Sequence, residues 1–152
     1  METTMKYKLT DDTIVIDGIT LHRIKALKAF SDVKAGDLGG WIEKEQNLSQ
    51  VANSWVYDNA QVCGTATVFS KSKVCDNAKV YGDTLVCGKA NIYGNARVYD
   101  NARVHGDAQV CSNAQVYGNA EICGDAKVLG DVEVFGEVEI CGMQLSKTMK
   151  TI

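Results

Sequence analysis

The sequence predicts an all-β protein, a single chain coiled into a parallel β-helix behind a short N-terminal β-hairpin. Three observations carry this. Residues 56–145 read as fifteen hexads without an insertion, from VYDNAQ, VCGTAT and VFSKSK through to VFGEVE and ICGMQL. Proline is absent while glycine is at 14. Hydrophobic residues make up 45% and charged residues 23% of the 152, a folded composition without a disordered bias.

The cap occupies residues 1–49. The alternating runs at 13–17 and 19–24 flank Gly18 and read as a hairpin. Gly36, Gly39 and Gly40 mark a turn-rich connection into Trp41 and Ile42. The repeat domain is set at 50–145, its first segment (50–55) a degenerate hexad with Ser54 in the fifth place. The tail, 146–152, is too short to cover the far end of a coil.

Within the hexads the first position is Val or Ile in all fifteen, the third is Gly in ten and the fifth is Ala in ten. In a run such as Ala96-Arg97-Val98-Tyr99, alternation points Ala and Val inward and the residues between them outward. The Gly, Asp or Ser that follows tolerates positive φ and makes a tight corner. A helix is excluded, because apolar residues six apart wind around its 3.6-residue turn and the glycines would weaken it. Stacked parallel turns satisfy every constraint, with Ala beside Val or Ile filling a narrow interior.

The hexads V-Y-G-N-A-x, together with Leu21-His22-Arg23-Ile24 and Gly36-Asp37-Leu38-Gly39-Gly40-Trp41, resemble the YdcK-like hexapeptide-repeat proteins of bacteria and their phages. That resemblance implies a left-handed parallel β-helix with eighteen residues per turn and the trimeric LpxA-like architecture. Ninety residues then give about five turns, a column roughly 24 Å tall at ~4.8 Å per stacked strand. The hand comes from the resemblance, since periodicity does not choose it. Phage-borne members imply a target in the host cytoplasm, a host component to be sequestered or inhibited.

Stacking residues eighteen apart sorts the second hexad position into three outward ladders. The first is Tyr57, Cys75, Tyr93, Cys111, Leu129; the second is Cys63, Tyr81, Tyr99, Tyr117, Phe135; the third is Phe69, Cys87, His105, Cys123, Cys141. A soluble chain seldom exposes so contiguous an apolar strip without a partner. The second ladder is therefore the leading interface, joined by Tyr57 and Tyr93, and homo-oligomerisation, with a trimer favoured, is expected through it or through the head. A protein or small-molecule partner is the expected ligand. The cysteines follow the repeat, and without a secretion signal they are expected as reduced cytoplasmic thiols. Cys123 and Cys141 are the one pair adjacent enough to bridge. Cys87, His105, Cys123 and Cys141 form a column, which is linear where a tetrahedral ion needs convergent ligands, so no metal site is expected.

Catalysis is the competing class, because many trimeric coils of this architecture are acyltransferases that use a histidine as base. His22 lies in the cap and His105 is the coil's sole histidine, and no excursion in the coil shapes a pocket for a thioester cofactor. His105 is therefore the catalytic residue only if the chain is an acyltransferase; a non-catalytic scaffold without cofactor is preferred, and pure structural support is the third reading. A net charge of −3 with scattered Lys and Arg excludes a nucleic-acid footprint. No apolar run reaches membrane-spanning length. Asp107, Asp125 and Asp131 share their place with Asn and read as turn residues.

Overall fold

The computed structural model describes residues 5–146. Three long strands precede the repeats: β1 (Tyr7–Ile16), β2 (Ile19–Ala26) and β3 (Leu38–Ile42). β1 and β2 form the expected antiparallel hairpin, closed by Asp17 and Gly18 at φ 51° and 80°. Both residues take positive φ, as a two-residue loop matched to strand twist requires.

The repeats coil into a parallel β-solenoid in which each short strand pairs with those one turn before and after, as Arg97–Val98 does with Lys79–Val80 and Gln115–Val116. Each of the three faces carries six rungs, counting the isolated pairing of Leu48 with Val68 on the third. The described residues thus make six turns, one more than the hexads announce. β3 is the extra rung on the second face: Trp41 pairs with Gln61 and Ile42 with Val62 in parallel. β2 joins β3 antiparallel, so the hairpin extends the sheet of the second face.

Two irregularities hide this turn from a strict six-residue period. Ile42 and Leu48 are six apart, but Leu48 and the next inward residue, Val56, are eight apart, so residues 50–54 add no rung and Trp55 opens the next one, pairing with Lys73. Gln50 instead clamps β1: its Oε1 accepts from the amides of Lys6 and Tyr7, and its Nε2 donates to Tyr7 O. At the other end the last corner is one residue short. Gln144–Leu145 pairs with Lys127–Val128, which turns Leu145 inward where the hexad count sends it out. Residues from 147 onward, most of the predicted tail, lie outside the described residues.

The interior is as the alternation requires. Val62, Val80, Val98, Val116 and Val134 are fully buried, as are the fifth-position alanines from Ala60 to Ala126. Where a hydroxyl replaces Ala it finds a carbonyl: Ser72 Oγ donates to Phe69 O at 2.6 Å, and Thr84 Oγ1 to Tyr81 O at 2.8 Å. A buried hydroxyl left unpaired costs stability, so these substitutions are tolerated only because the corner carbonyl is in reach. At the corners that carry aspartate, the carboxylate caps the next turn. Asp76 Oδ2 accepts from the Gly94 amide at 2.9 Å, and Asp100 Oδ2 from that of Gly118 at 3.1 Å.

The cap seals the first turn. Lys6 is buried, donating from Nζ to Ser54 O at 2.7 Å and lying over the Phe30 ring. Burial, with Lys28 adding, pushes its pKa down to about 8. Trp55 is enclosed edge-on by Tyr7 and Phe30. Gly39 and Gly40 are not turn residues, as their spacing suggested, but interior positions of β3. A Cβ on Gly40 would stand 2.6 Å from Ala60 O and 2.7 Å from Val56 Cγ1. Gly40→Ala is therefore expected to destabilise by about 1–3 kcal/mol through overpacking. Denaturant unfolding checks it.

Candidate functional site

On the second face the rungs place Tyr81, Tyr99, Tyr117 and Phe135 one above another. Their ring centroids lie 4.9, 4.9 and 5.0 Å apart with interplanar angles of 1°, 4° and 8°. The spacing is that of stacked strands, so the backbone rise sets the ring separation. Each inner ring has both faces occupied by its neighbours. The face exposes a strip of ring edges and hydroxyls.

The hydroxyls are oriented by the sixth hexad position of the following turn. Tyr99 Oη donates to Gln115 Oε1 at 3.0 Å and Tyr117 Oη to Glu133 Oε1 at 3.3 Å, while on the first face Tyr93 Oη donates to Gln109 Oε1 at 3.2 Å. These partners, sixteen residues on, were missed by sequence reasoning that sorted the second position alone. Combining both outward positions with an eighteen-residue turn would have found them.

Stacking also raises the phenol pKa values. Tyr99 is pushed up to about 12, chiefly by desolvation, with Tyr81, Tyr117 and Asp100 adding. Desolvation likewise raises Tyr81 and Tyr117. A folded-state pKa above the unfolded value of 10 means that the unfolded chain releases its proton first. The Tyr99 contribution is fully present below pH ~10 and is lost as pH rises from about 10 to 12. Chemical denaturation at stepped alkaline pH should show this loss, and Tyr99→Phe should shrink it.

The hairpin overhangs the top of the ladder. Ile16, Ile19 and Leu21 face Cys63 and Tyr81 across a cleft of about 210 Å³ that also takes in Lys79 and Arg97. Along the adjoining corner Asn95 Nδ2 donates to Asn113 Oδ1, and Asn113 Nδ2 to Asp131 Oδ1. Asn95 and Asn113 border a polar groove together with Lys79, Arg97 and Gln115. The ladder thus runs between an apolar cleft and a polar edge.

The remaining predicted residues are dispersed. Tyr57 is held by the cap, its hydroxyl donating to Asp32 Oδ1 at 2.7 Å, with Lys73 over its ring. It follows the Trp55–Val56 rung of the first face, not the second. His22 stays in the hairpin, Nδ1 3.1 Å from Thr10 O. His105 Nε2 lies 2.8 Å from Glu121 Oε1, both half-exposed. Cys63, Cys75, Cys87 and Cys111 are free and half-buried, and burial pushes Cys75 up to about 11, away from a reactive thiolate. Cys123 and Cys141 lie in register on neighbouring strands with Cα atoms 4.5 Å apart, the adjacency the stacking predicts and close enough to bridge.

No helix among the described residues is long and apolar enough to cross a membrane. The YdcK β-solenoid repeat matches residues 90–106 and 96–112. The chain is 39% identical over 72 residues to the uncharacterized acetyltransferase YdcK of Escherichia coli (strain K12), covering 41% of this chain and 22% of that protein. The match thus spans about a fifth of that relative's length. The central turns of this parallel β-solenoid are thus similar to the YdcK β-solenoid repeat.

Proposed function

We propose that this protein is a non-catalytic binding scaffold that docks its partner along the second face. One observation carries the reading: the Tyr81, Tyr99, Tyr117, Phe135 ladder is unbroken over four turns and presents edges and hydroxyls held in register. Pre-ordered side chains lose little entropy on binding, and aromatic rings give large contact area per ordered residue. The partner is a protein or a small molecule that lies along the column, sequestered or inhibited by it. A second copy of the chain is the natural first occupant, assembling as a trimer through this face.

Acyl transfer is the second reading, and the His105–Glu121 contact favours it, since a carboxylate can orient an imidazole base. The Escherichia coli relative, named an uncharacterized acetyltransferase, points the same way. Docking predicts that Tyr99→Ser with Tyr117→Ser dissociates the assembly in light scattering, while His105→Ala leaves it unchanged. Acyl transfer predicts calorimetric binding of a thioester cofactor that His105→Ala abolishes. A monomeric wild type that binds the thioester would reverse the preference.

A further inference from the structure

On the third face two neighbouring strands run one residue longer than most rungs of the coil, Glu121–Cys123 and Glu139–Cys141. They pair in register, Glu121 opposite Glu139 and Cys123 opposite Cys141. Like charges directly opposite on adjacent strands repel, and Glu121 turns its carboxylate to His105, whose Nε2 lies 2.8 Å from Oε1. His105 stands one turn above Cys123. The ligand atoms of His105, Glu121 and Cys123 all lie within 4.8 Å of one another, and Cys123 is buried at 6% exposure.

We infer that in the dithiol state His105, Glu121 and Cys123 bind one zinc-class divalent cation, with a fourth position open to water. The column of second-position residues is linear, as the sequence indicates; the carboxylate at the sixth position supplies the lateral ligand that turns a line into a triangle. Tetrahedral zinc holds its ligand atoms roughly 3.4–3.8 Å apart, given bonds of about 2.0–2.3 Å. Side-chain rotation covers the difference from the observed separations. A nitrogen, an oxygen and a thiolate suit zinc or cobalt and are a poor set for magnesium or calcium. Half-exposed His105 and Glu121 leave the ion open to solvent.

The disulfide is the competing state. When Cys123 and Cys141 together give up two electrons and two protons to a thiol oxidant such as diamide, whose N=N bond becomes the hydrazine, Cys123 can no longer ligate. Metal occupancy at this site is therefore gated by the Cys141 thiol, which is not itself a ligand.

The test uses the full chain, reduced with dithiothreitol, desalted without oxygen and titrated with Co²⁺. The expected result is one saturating equivalent with a thiolate-to-cobalt charge-transfer band, displaced by Zn²⁺. Cys123→Ser should abolish the band, and His105→Ala and Glu121→Gln should each weaken binding at least about tenfold. Diamide should eliminate binding by the wild type but leave that of Cys141→Ser intact. Circular dichroism of each variant should retain the wild-type β-sheet signal. Absence of a saturable band in the reduced wild type overturns the inference. So does binding that survives His105→Ala undiminished, or binding that Cys141→Ser abolishes, which would place the ion on Cys123, Glu139 and Cys141.

Discussion

Val98→Asp is expected to abolish the cooperative fold. Val98 sits at a central rung of the second face, fully buried and paired in register with Val80 above and Val116 below. A carboxylate there meets only aliphatic side chains, and an unpaired buried charge costs several kcal/mol even when it escapes by protonation. That is comparable to the whole stability of a domain, roughly 5–15 kcal/mol. A solenoid is held by contacts between neighbouring turns, so the lesion also divides the column into halves that each expose a core end. Circular dichroism and thermal unfolding check it, and loss of the sheet signal at room temperature is the expected outcome. Arg97→Asp, one residue away but exposed, should leave the fold intact.

Trp55→Ala is expected to cost about 3–5 kcal/mol, the range for deleting a buried aromatic side chain. Its ring is 1% exposed and lies between Tyr7, Phe30 and the backbone of Gly39. The cavity opens where the cap meets the first turn, beside the buried Lys6 ammonium, so protection should fall first in the hairpin. Hydrogen exchange is the measurement: amides of β1 and β2 should accelerate far more than those at Arg97–Val98. Uniform acceleration along the column would mean that cap and coil unfold as one unit.

Both effects rest on features of different legibility. The coil could be read because one constraint, a residue pointing into a narrow interior every six positions, recurs with Val98, Val104, Val110 and their equivalents. The first turn could not, because Gln50 and its neighbours lengthen one corner by two residues and break the period. Leu145 was misplaced for the converse reason, a corner one residue short. Gly39 and Gly40 look like turn residues in sequence, yet they serve close approach of β3 to Val56 and Ala60, which only three-dimensional packing reveals. The aromatic ladder followed from stacking arithmetic. Its hydrogen-bonding partners Gln115 and Glu133, and the Glu121 carboxylate beside His105, needed the outward positions to be read jointly. Nothing in the sequence marks Lys6 as buried; its environment is built by Ser54, Phe30 and Ala52, distant in the chain.

The docking claim is tested most directly by affinity capture from bacterial lysate with native mass spectrometry, comparing the wild type with Tyr99→Ser/Tyr117→Ser and with His105→Ala. The second-face account predicts that the wild type and His105→Ala retain the same bound species, additional subunits included. It predicts that the double tyrosine variant, with its sheet signal intact, loses them. Retention of every bound species by the double tyrosine variant, or their loss on His105→Ala alone, would contradict it.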